Sequence, residues 1–343
     1  MNILAILTVR NEAAFLLEWL AHHRAVGFTR FLVFSNDCTD GTDALLNRLQ
    51  TLGLLTHVAN SGPHPEGPQW AALKKADKHP LKKSADWVMF LDIDEFVNIH
   101  IGNHTIPALL DAVPQATAIA LTWRFFGNGG VARYDDKPVT RSFTRAAPAV
   151  LYWPWRAALF KTLFRNDGIY AKLGVHRPRS PDKDRVNSSH WFDGSGRTLG
   201  PQFRTTRIFS DFGQDNYRLA QLNHYALGAM ESYILKADRG RANRDASAFD
   251  VSYWVERNFT QEADQTITRL PLDTASLLAD PELARLHAAA VLWRRQRFDD
   301  LMGSEAYRAL FGRLLMTPPT RALPLTEARF LLAYAQRAID PAG

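Results

Sequence analysis

Apolar runs rich in β-branched and aromatic residues alternate with segments of helical spacing along the first part of the chain. Such runs predict strands, and apolar residues recurring every three or four positions predict helices that bury one face. The pattern predicts four strands with a helix between each pair, and the strands cover residues 2–9, 30–35, 54–58 and 86–92. Strands that alternate with helices form a parallel sheet covered on both faces. We therefore expect an α/β domain with a ligand crevice at the carboxyl ends of its strands.

The first of these helices has sequence signals at both ends. Asn11 is a residue type favoured at the N-cap, Phe15, Trp19 and Val26 recur at helical spacing, and Gly27 favours termination. The turn sequence "NDCTDGT" follows the second strand and leads into a leucine-rich helix. Two successive βα units are therefore predicted.

After the fourth strand the alternation weakens. Residues 105–113 predict a short helix, and residues 117–126 predict a buried strand. Residues 134–214 are rich in Pro, Arg, Trp and Asp and predict an irregular, substrate-facing region with short strand-like pieces. Helical spacing resumes over residues 216–240.

Beyond about residue 270, Leu, Ala and Arg dominate and predict two or three further helices. We therefore expect three parts in this chain. Residues 1–130 form the α/β half of a domain, residues 131–245 form its irregular half, and residues 246–343 form a helical extension.

Composition narrows the class of protein. The chain has 343 residues, 46% hydrophobic and 22% charged, as in ordinary globular proteins, and no segment approaches the roughly 20 apolar residues of a membrane span. Cys38 is the only cysteine, so an internal disulfide and a thiolate zinc site are excluded. The start has the pattern of a strand rather than a signal peptide, and we expect a cytoplasmic location. A net charge of +6 favours acidic partners such as nucleotides or anionic lipid headgroups, and a nucleic-acid role is not expected.

The sequence "FLDIDEF" ends the fourth predicted strand with three acids, Asp92, Asp94 and Glu95. Burying carboxylates after an apolar run costs several kcal/mol unless a cation satisfies them. In a strand, Asp92 and Asp94 point to the same side, about 7 Å apart. A hard divalent cation that bridges them to a diphosphate is the interpretation we favour, and an exposed acidic loop near arginines is the alternative.

Polar clusters also follow the other strands. Residues 10–12 ("RNE") come after the first strand, residues 35–42 ("SNDCTDGT") after the second, and residues 92–95 ("DIDE") after the fourth. The carboxyl ends of parallel strands meet at one edge of a sheet. We therefore expect the three clusters to line a single crevice.

Three motifs follow one another along the chain, namely "TVRNEAAFLLEWLAHHRAVGFTRFLVFSNDCTDGT", "DWVMFLDIDEF" and "LNHYALGAMESYILKADRG". In this order they resemble the family 2 glycosyltransferases and specifically the branch related to family 92. The resemblance covers residues 3–240 and implies the GT-A fold, a mostly parallel Rossmann-like sheet flanked by helices. In that fold a DxD motif holds Mn²⁺ or Mg²⁺ on the diphosphate of a nucleotide sugar. The helical extension lies outside the resemblance.

Particular residues match the motifs of that family. The resemblance implies that Asp94 is the main metal ligand and that Asp92 contacts the ribose or the metal. Asp37 matches the acid that contacts the nucleobase, and a carboxylate suits the ring N–H of uracil. Asn11 and Glu12 follow the first strand, where the family places nucleotide contacts. A helix-capping role for Asn11 is the alternative.

The resemblance also implies a histidine as a further metal ligand, from a segment well after the acids. His176 and His224 are the two candidates, and His190 is a third. Neutral imidazole is a good ligand for Mn²⁺ beside carboxylates. His176 is favoured slightly because it ends a short strand-like piece, "KLGVH".

The implied reaction transfers a sugar from a nucleoside diphosphate sugar, UDP-linked, to a hydroxyl of a glycan or lipid-linked acceptor, with inversion. Polysaccharide biosynthesis is the implied setting. A metal ion acts on the leaving diphosphate, and a carboxylate base removes the acceptor proton. Asp193 and Asp211 are the predicted bases, and Asp215 lies in the same region. Some of six basic residues are expected to clamp the diphosphate and most to be solvated surface, namely Lys161, Arg165, Arg177, Lys236, Arg239 and Arg241.

Three other classes of protein remain as alternatives. A haloacid dehalogenase-type phosphatase also ends an apolar strand with DxD, but usually continues with a small residue and Thr or Val, where this chain has Glu95 and Phe96. A sugar nucleotidyltransferase expects a Gly-rich loop after the first strand, and "TVRNEAAF" contains no glycine. A non-catalytic nucleotide-sugar-binding protein would not need both acids in a metal-ready spacing.

The helical extension contains "AAAVLWRRQRF", residues 288–298, which combines apolar residues, a tryptophan and three arginines. We expect a packing helix with a charged outer face. Peripheral contact with the inner face of a membrane, where a lipid-linked acceptor would be found, is the alternative.

Overall fold

The structure is a computed structural model that describes residues 1–240 and 249–339. The strands are β1 (Ile3–Val9), β2 (Arg30–Ser35), β3 (Thr56–Ala59), β4 (Trp87–Leu91), β5 (Glu95–Ile99), β6 (Ala118–Phe125), β7 (Arg145–Ala146), β8 (Phe160–Arg165), β9 (Tyr170–Lys172), β10 (Arg179–Pro181), β11 (Trp191–Asp193), β12 (Ala220–His224) and β13 (Glu262–Ala263). The helices are α1 (Ala13–Ala25), α2 (Thr42–Thr51), α3 (Pro68–Lys78), α4 (Pro80–Ser84), α5 (Ile106–Ala112), α6 (Val139–Ser142), α7 (Gln202–Thr205), α8 (Met230–Arg239), α9 (Val251–Val255), α10 (Ala275–Leu278), α11 (Pro281–Met302), α12 (Glu305–Met316) and α13 (Leu325–Ile339). The boundary predicted between residues 245 and 246 and the predicted basic residue Arg241 lie outside the described residues.

The N-terminal half forms a parallel sheet covered on both faces. Strands β3, β2, β1 and β4 lie side by side in that order and run parallel. Ile3, Ala5 and Leu7 belong to the apolar cluster that includes α1 and α2, whereas Leu4 and Ile6 belong to the cluster that includes α3. Because successive residues of a strand point to opposite faces, an uninterrupted apolar run such as β1 indicates helices on both sides.

The sheet continues beyond β4 through β8, β6, β12 and β5. Strand β8 is antiparallel to both of its neighbours, β6 and β12 are parallel, and β5 is an antiparallel edge strand. The short strand β11 also pairs with β6, in parallel. The predicted α/β class, with a mostly parallel sheet flanked by helices, is confirmed.

The second half of this sheet curls around its own inner face. Strands β4 and β5 are separated by three other strands in the sheet, which in a flat sheet would place them about 19 Å apart at about 4.8 Å per strand. Only the four Cα steps from Leu91 to Glu95 connect them, a reach of at most about 15 Å. The turn from Asp92 to Glu95, closed by a 3.1 Å backbone hydrogen bond, is shorter still. The sheet therefore bends back and encloses the side chains on that face.

The prediction of helical structure over residues 216–240 is wrong in its first part. Residues 220–224 form β12, a buried strand in the sheet, and only Met230–Arg239 is helical. Two polar residues interrupt the apolar pattern that would indicate a buried strand here. Gln221 donates to Asp264 at 2.8 Å, and Asn223 donates to the Tyr225 hydroxyl at 3.0 Å. Hydrogen bonds of this kind make polar side chains tolerable in a core.

The helical extension packs against the α/β half. Helix α11 contacts α1, α2 and α8, and α12 contacts α8 and α9. Ala290 and Val291 of α11 are buried against Ala13 and Ala14 of α1, while Arg295 stays exposed. Helix α11 therefore packs against the α/β half as expected, although its inward side also carries the buried Arg294 and Leu292 stays exposed. None of the helices in the described ranges has the length and apolarity needed to cross a membrane.

Two histidines lie at the interface between α1 and β5. The ring Nε2 of His22 lies 2.8 Å from the carbonyl oxygen of Val97, and the Nδ1 of His23 lies 2.8 Å from that of Trp19. Both side chains are buried. Burial lowers the pKa of His22 from 6.5 to about 4, although the bond to Val97 opposes the shift. The folded protein therefore holds His22 as a neutral donor.

This burial predicts a loss of stability in mild acid. The unfolded chain takes up a proton on His22 below pH 6.5, and the folded chain does so only near pH 4. Stability contributed by His22 is thus complete above pH 6.5 and is lost as the pH falls through 4, by about 3 kcal/mol at about 1.4 kcal/mol per pKa unit. Urea unfolding at a series of pH values should show a weaker pH dependence for His22→Gln than for the wild type. The exposed control His190→Gln should keep the wild-type dependence, and equal profiles for all three proteins would contradict the prediction.

Candidate active site

A crevice of about 1220 Å³ opens at the carboxyl ends of the parallel strands. It is lined by Val9 from β1, Asn36 after β2, Asp92 after β4, Trp123 from β6 and His224 from β12. The clusters that follow the first, second and fourth strands therefore share one crevice. Pockets for single small molecules range over about 300–1,000 Å³. A crevice of this volume has room for two substrates.

Asp92 and Asp94 lie in a turn and not in a strand, and Glu95 is the first residue of β5. Strand β4 ends at Leu91, and the carboxylate Oε2 of Glu95 accepts a 2.8 Å hydrogen bond from the backbone N–H of Asp92. The expectation that Asp92 and Asp94 project from one face of a strand is therefore wrong. The turn sends the two carboxylates toward two different lysines, Lys161 and Lys236.

Lys161 is the cation beneath this turn. Its ammonium group is fully buried and lies 2.9 Å from Oδ2 of Asp92 and 3.4 Å from Oε2 of Glu95. The other carboxylate oxygen of Glu95 accepts a 2.6 Å hydrogen bond from the indole of Trp123. Burial opposes the charge of Lys161, but Asp92 and Glu95 hold the pKa of Lys161 above its usual range. Burial raises the pKa of Glu95, so Asp92 is the main partner of the ammonium group.

Strand register explains why these groups meet. Lys161 pairs with Leu121 across β8 and β6, so it shares a face with Trp123, two residues further along β6. Glu95 pairs with His224 across β5 and β12 on that same inner face. A charged residue in the apolar strand "FKTLFR" is the sequence signal for an inward-facing cation.

The second lysine belongs to α8. The ammonium group of Lys236 donates to Oδ2 of Asp94 at 2.7 Å and to the carbonyl of Ala226 at 2.7 Å. Burial opposes ionisation of Asp94, but Lys236 and His224 together hold the pKa of this carboxyl well below its usual range. Burial lowers the pKa of His224, although Asp94 opposes that shift, so the imidazole is neutral.

The donor atoms around Asp94 decide whether a divalent cation fits. Within residues 1–240 and 249–339, no three His, Cys, Asp or Glu side chains are arranged to hold a metal ion. Asp92 accepts from Lys161 and from Gln69, at 2.9 and 3.2 Å. The Nε2 of His224 lies 3.6 Å from Oδ1 of Asp94, and the Nδ1 of His224 is buried without a hydrogen-bond partner. A carboxylate and a neutral imidazole fit Mn²⁺ or Mg²⁺, provided that phosphate and water supply the other ligands.

The other predicted metal ligands are placed differently. His176 lines the crevice, but it lies in the loop between β9 and β10 and not at a strand end. Its Nδ1 lies 3.0 Å from the carbonyl of Phe160, and burial lowers its pKa to about 4. The histidine at a strand end is His224, the last residue of β12. His190 is exposed and lies outside the crevice lining.

The loop after β1 is joined to α8 by Arg239. Its guanidinium group contacts the Glu12 carboxylate and donates to the carbonyl of Arg10 at 2.9 Å. Glu12 is buried and lines the crevice beside Arg239. The paired Glu12 and Arg239 therefore lie in the crevice after β1, where the resemblance places nucleotide contacts.

Asn11 and Asp37 hold loop backbone. Asn11 has a left-handed φ of 54° and accepts a 2.7 Å hydrogen bond from the N–H of Thr39. It does not cap α1, because the first-turn N–H of Ala13 donates to Asp40. Asp37 is exposed, accepts from the N–H of Gly62 at 3.3 Å, and lies outside the crevice lining.

The predicted bases lie away from the crevice. Asp193 is buried and accepts from the backbone N–H groups of Ser195 and Arg197, both at 2.9 Å, and so shapes a turn. Asp211 pairs with Arg207 at 2.8 Å. Neither carboxylate lines the crevice, and Asp215 does not either.

Two carboxylates that line the crevice, those of Asp250 and Glu256, are not among the site residues predicted from the sequence. Asp250 is exposed and caps α9 by accepting from the N–H of Tyr253 at 3.0 Å. Glu256 lies 3.3 Å from Arg156 and 3.2 Å from Arg257. An N-cap aspartate before a short helix was the available signal for Asp250.

Comparison with known proteins identifies relatives of this chain. The model of glycosyltransferase family 92 matches residues 5–192. A family 92 protein of Oryza sativa subsp. japonica is 27% identical over 145 residues, which cover 40% of this chain and 23% of that protein. A family 92 protein of Ricinus communis is 24% identical over 145 residues, which cover 40% of this chain and 25% of that protein. The chain therefore matches about a quarter of the length of these curated relatives.

Two solved structures show distant similarity to this chain. S. aureus TarS matches with a TM-score of 0.35 and 13% identity, over 88% of this chain and 55% of that one. Glucosyl-3-phosphoglycerate synthase from Mycobacterium tuberculosis, in complex with Mn²⁺, UDP and glucosyl-3-phosphoglycerate, matches with a TM-score of 0.27 and 17% identity, over 49% of this chain and 58% of that one.

The burial of Lys161 predicts a large effect of its removal. In Lys161→Met the carboxylates of Asp92 and Glu95 lose their cation, and breaking a buried pair in this way costs about 3 kcal/mol or more. Lys137→Met is the matched control, because Lys137 and Asp135 form an exposed pair whose loss costs at most about 1 kcal/mol. Urea unfolding of both variants measures the two costs. Similar, small costs in both would show that Lys161 is not the required counterion.

Proposed function

The chain belongs to glycosyltransferase family 92, and on this premise we propose that it transfers a sugar from a nucleoside diphosphate sugar to a hydroxyl group of a glycan or lipid-linked acceptor. The observation that carries the proposal is the Asp94 carboxylate in the crevice, with Lys236 on one oxygen and His224 beside the other. The carboxylate and the neutral imidazole suit a divalent cation, and Lys236 supplies an ammonium donor, so the three groups together can bind a diphosphate.

The donor diphosphate would lie against Lys236 and Arg239. Both cations line the crevice next to Asp94, and ammonium and guanidinium groups bind phosphate through charge-assisted hydrogen bonds. Asn36 lines the crevice after β2 and supports placing the nucleoside at that side. UDP as the donor nucleotide and Asp37 as its base contact stay predictions.

Asp94 and His224 would hold Mn²⁺ or Mg²⁺, which stabilises the charge of the leaving diphosphate when it is bound. Lys236 occupies the other oxygen of Asp94 and keeps the carboxylate in place in the absence of donor. The carbonyl of Ala226 holds Lys236 in turn. The site is thus oriented before substrates arrive.

Asp250 is the residue we propose as general base. Its carboxylate is exposed in the crevice, whereas Glu256 is paired with Arg156 and Arg257. In a single inverting displacement the acceptor oxygen bonds to the anomeric carbon as the bond from that carbon to the diphosphate oxygen breaks. The hydroxyl proton passes to Asp250.

A nucleotide-release screen tests the reaction. Purified protein is incubated with a panel of nucleoside diphosphate sugars and candidate acceptors, with Mn²⁺, Mg²⁺ or EDTA. We expect metal-dependent release of UDP, and a loss of about 100-fold or more in Asp94→Asn, comparable to removal of one transition-state contact. Asp135→Asn, an exposed acid outside the crevice, is the control.

The screen separates the alternatives. Binding of a nucleotide sugar without turnover under any condition would indicate a non-catalytic protein. Inorganic phosphate from simple phosphomonoesters would indicate a phosphatase. Full activity in EDTA would refute the metal site at Asp94 and His224 while leaving the transferase in place.

The assignment of the base predicts a selective loss in Asp250→Asn. Removing a general base lowers kcat by about 100-fold or more. The donor KM should change little, since Asp250 does not touch Asp94, Lys236 or Arg239 in the described contacts. Steady-state kinetics of Asp250→Asn, Glu256→Gln and Asp193→Asn checks the assignment. A kcat loss confined to Glu256→Gln would transfer the role to that residue.

A further inference from the structure

A second cavity, of about 110 Å³, lies between α1, α8 and α11 on the other side of the crevice wall. Five residues line both the cavity and the crevice, namely Glu12, Ile93, Asp94, Lys236 and Arg239. Much of the remaining lining is apolar and includes Phe15, Val131, Phe143, Leu235 and Trp293. The volume is of the order of the roughly 150 Å³ cavity that holds a benzene molecule in another protein. It suits a small group and not a nucleotide sugar.

The charges of the cavity lining do not balance. Four acids line it, and each has a cation partner within the described residues: Glu12 with Arg239, Asp94 with Lys236, Asp135 with Lys137, and Asp238 with Arg297. Two further cations, Arg133 and Arg294, also line the cavity. Neither has an ion pair with any residue that the structure describes.

Arg294 is the buried member of this pair. Its side chain is 6% exposed, and the guanidinium carbon lies 4.5 Å from the ring centre of Phe15 and 4.8 Å from that of Tyr134. One Nη donates to the hydroxyl of Ser232 at 2.9 Å. The Nε is buried and has no hydrogen-bond partner. The guanidinium group is thus left with unused donors in an apolar enclosure.

The two acids that interact electrostatically with Arg294, Asp40 and Glu231, do not satisfy it. Asp40 accepts from the N–H of Ala13 and from Thr42, and Glu231 accepts from the N–H of Tyr134 at 2.8 Å. Neither forms an ion pair with the arginine. Burying an unpaired charge is costly, and a leucine or methionine would pack at this position of α11 without that cost. An arginine here is explained by an anion that enters the cavity.

We propose that this cavity binds a small organic anion, a phosphate monoester or a carboxylate with a compact apolar body. Arg294 anchors the anionic group, since a guanidinium fork matches the oxygens of both classes. The rings and aliphatic side chains of the lining cover the apolar body. The site is distinct from the donor crevice, although the two share a wall.

Isothermal titration calorimetry with phenyl phosphate and benzoate tests the proposal. We expect both to bind the full-length wild-type chain, and to bind Arg294→Met at least tenfold more weakly. Benzyl alcohol measures the contribution of the apolar body without the anionic group, and inorganic phosphate measures that of the anionic group without the apolar body. Each should bind more weakly than phenyl phosphate. Equal affinity of phenyl phosphate for wild type and Arg294→Met would overturn the proposal, and so would the absence of binding by both organic anions.

Two further variants keep the result interpretable. Arg295→Met removes the same charge from the next, exposed position of α11 and should bind the probes as the wild type does. Arg294→Met should unfold at the same or a higher temperature than the wild type, because a buried unpaired charge has been removed. A lower unfolding temperature with unchanged binding would assign Arg294 a structural role only. All readouts are of binding and stability, so they do not depend on whether the chain transfers a sugar.

Discussion

Two lysines, the fully buried Lys161 and the partly buried Lys236, neutralise the acid turn between β4 and β5, and the crevice is built around this interaction. Lys161 holds Asp92 and Glu95 from beneath, and Lys236 holds Asp94 from α8. Without these cations three carboxylates would stand close together at the end of an apolar strand, where isolated charge is strongly disfavoured. The lysines therefore make a dense anionic turn compatible with a folded core. Lys236 pairs with Oδ2 of Asp94, and the other oxygen, Oδ1, faces His224.

The curl of the sheet is what brings the lysines to the acids. Strand β8 runs antiparallel between β4 and β6, so its first residues reach the same edge as the ends of the parallel strands. Lys161 lies at this beginning of β8, and Glu95 lies at the beginning of β5, the other strand that runs in the opposite direction. Groups from β4, β5, β6, β8 and β12 thus converge on the enclosed face. A flat sheet could not assemble them.

Helix α8 and the extension link the crevice to the second cavity. Lys236 and Arg239 project from α8 into the wall that the two spaces share, and α11 closes the cavity from outside. The family 92 match ends at residue 192, so α8 and α11 lie beyond it. Features of the N-terminal half are thus expected from family membership, whereas the cavity at Arg294 depends on elements outside the matched region.

The sequence by itself determined the parallel strands, the helices between them and the edge at which polar clusters meet. These features depend on local signals, namely apolar runs, helical spacing and turn residues. Each signal is contained in a short stretch of consecutive residues. It did not reveal that residues 220–224 form a strand, because Gln221 donates to Asp264 and Asn223 accepts from Asn98, and both partners belong to other segments. Only the tertiary structure decided which cation faces which acid, and that Asp193 shapes a turn while Asp250 faces the crevice. Such pairings join residues far apart in the chain, and electrostatic partners at that separation leave no periodic pattern to read.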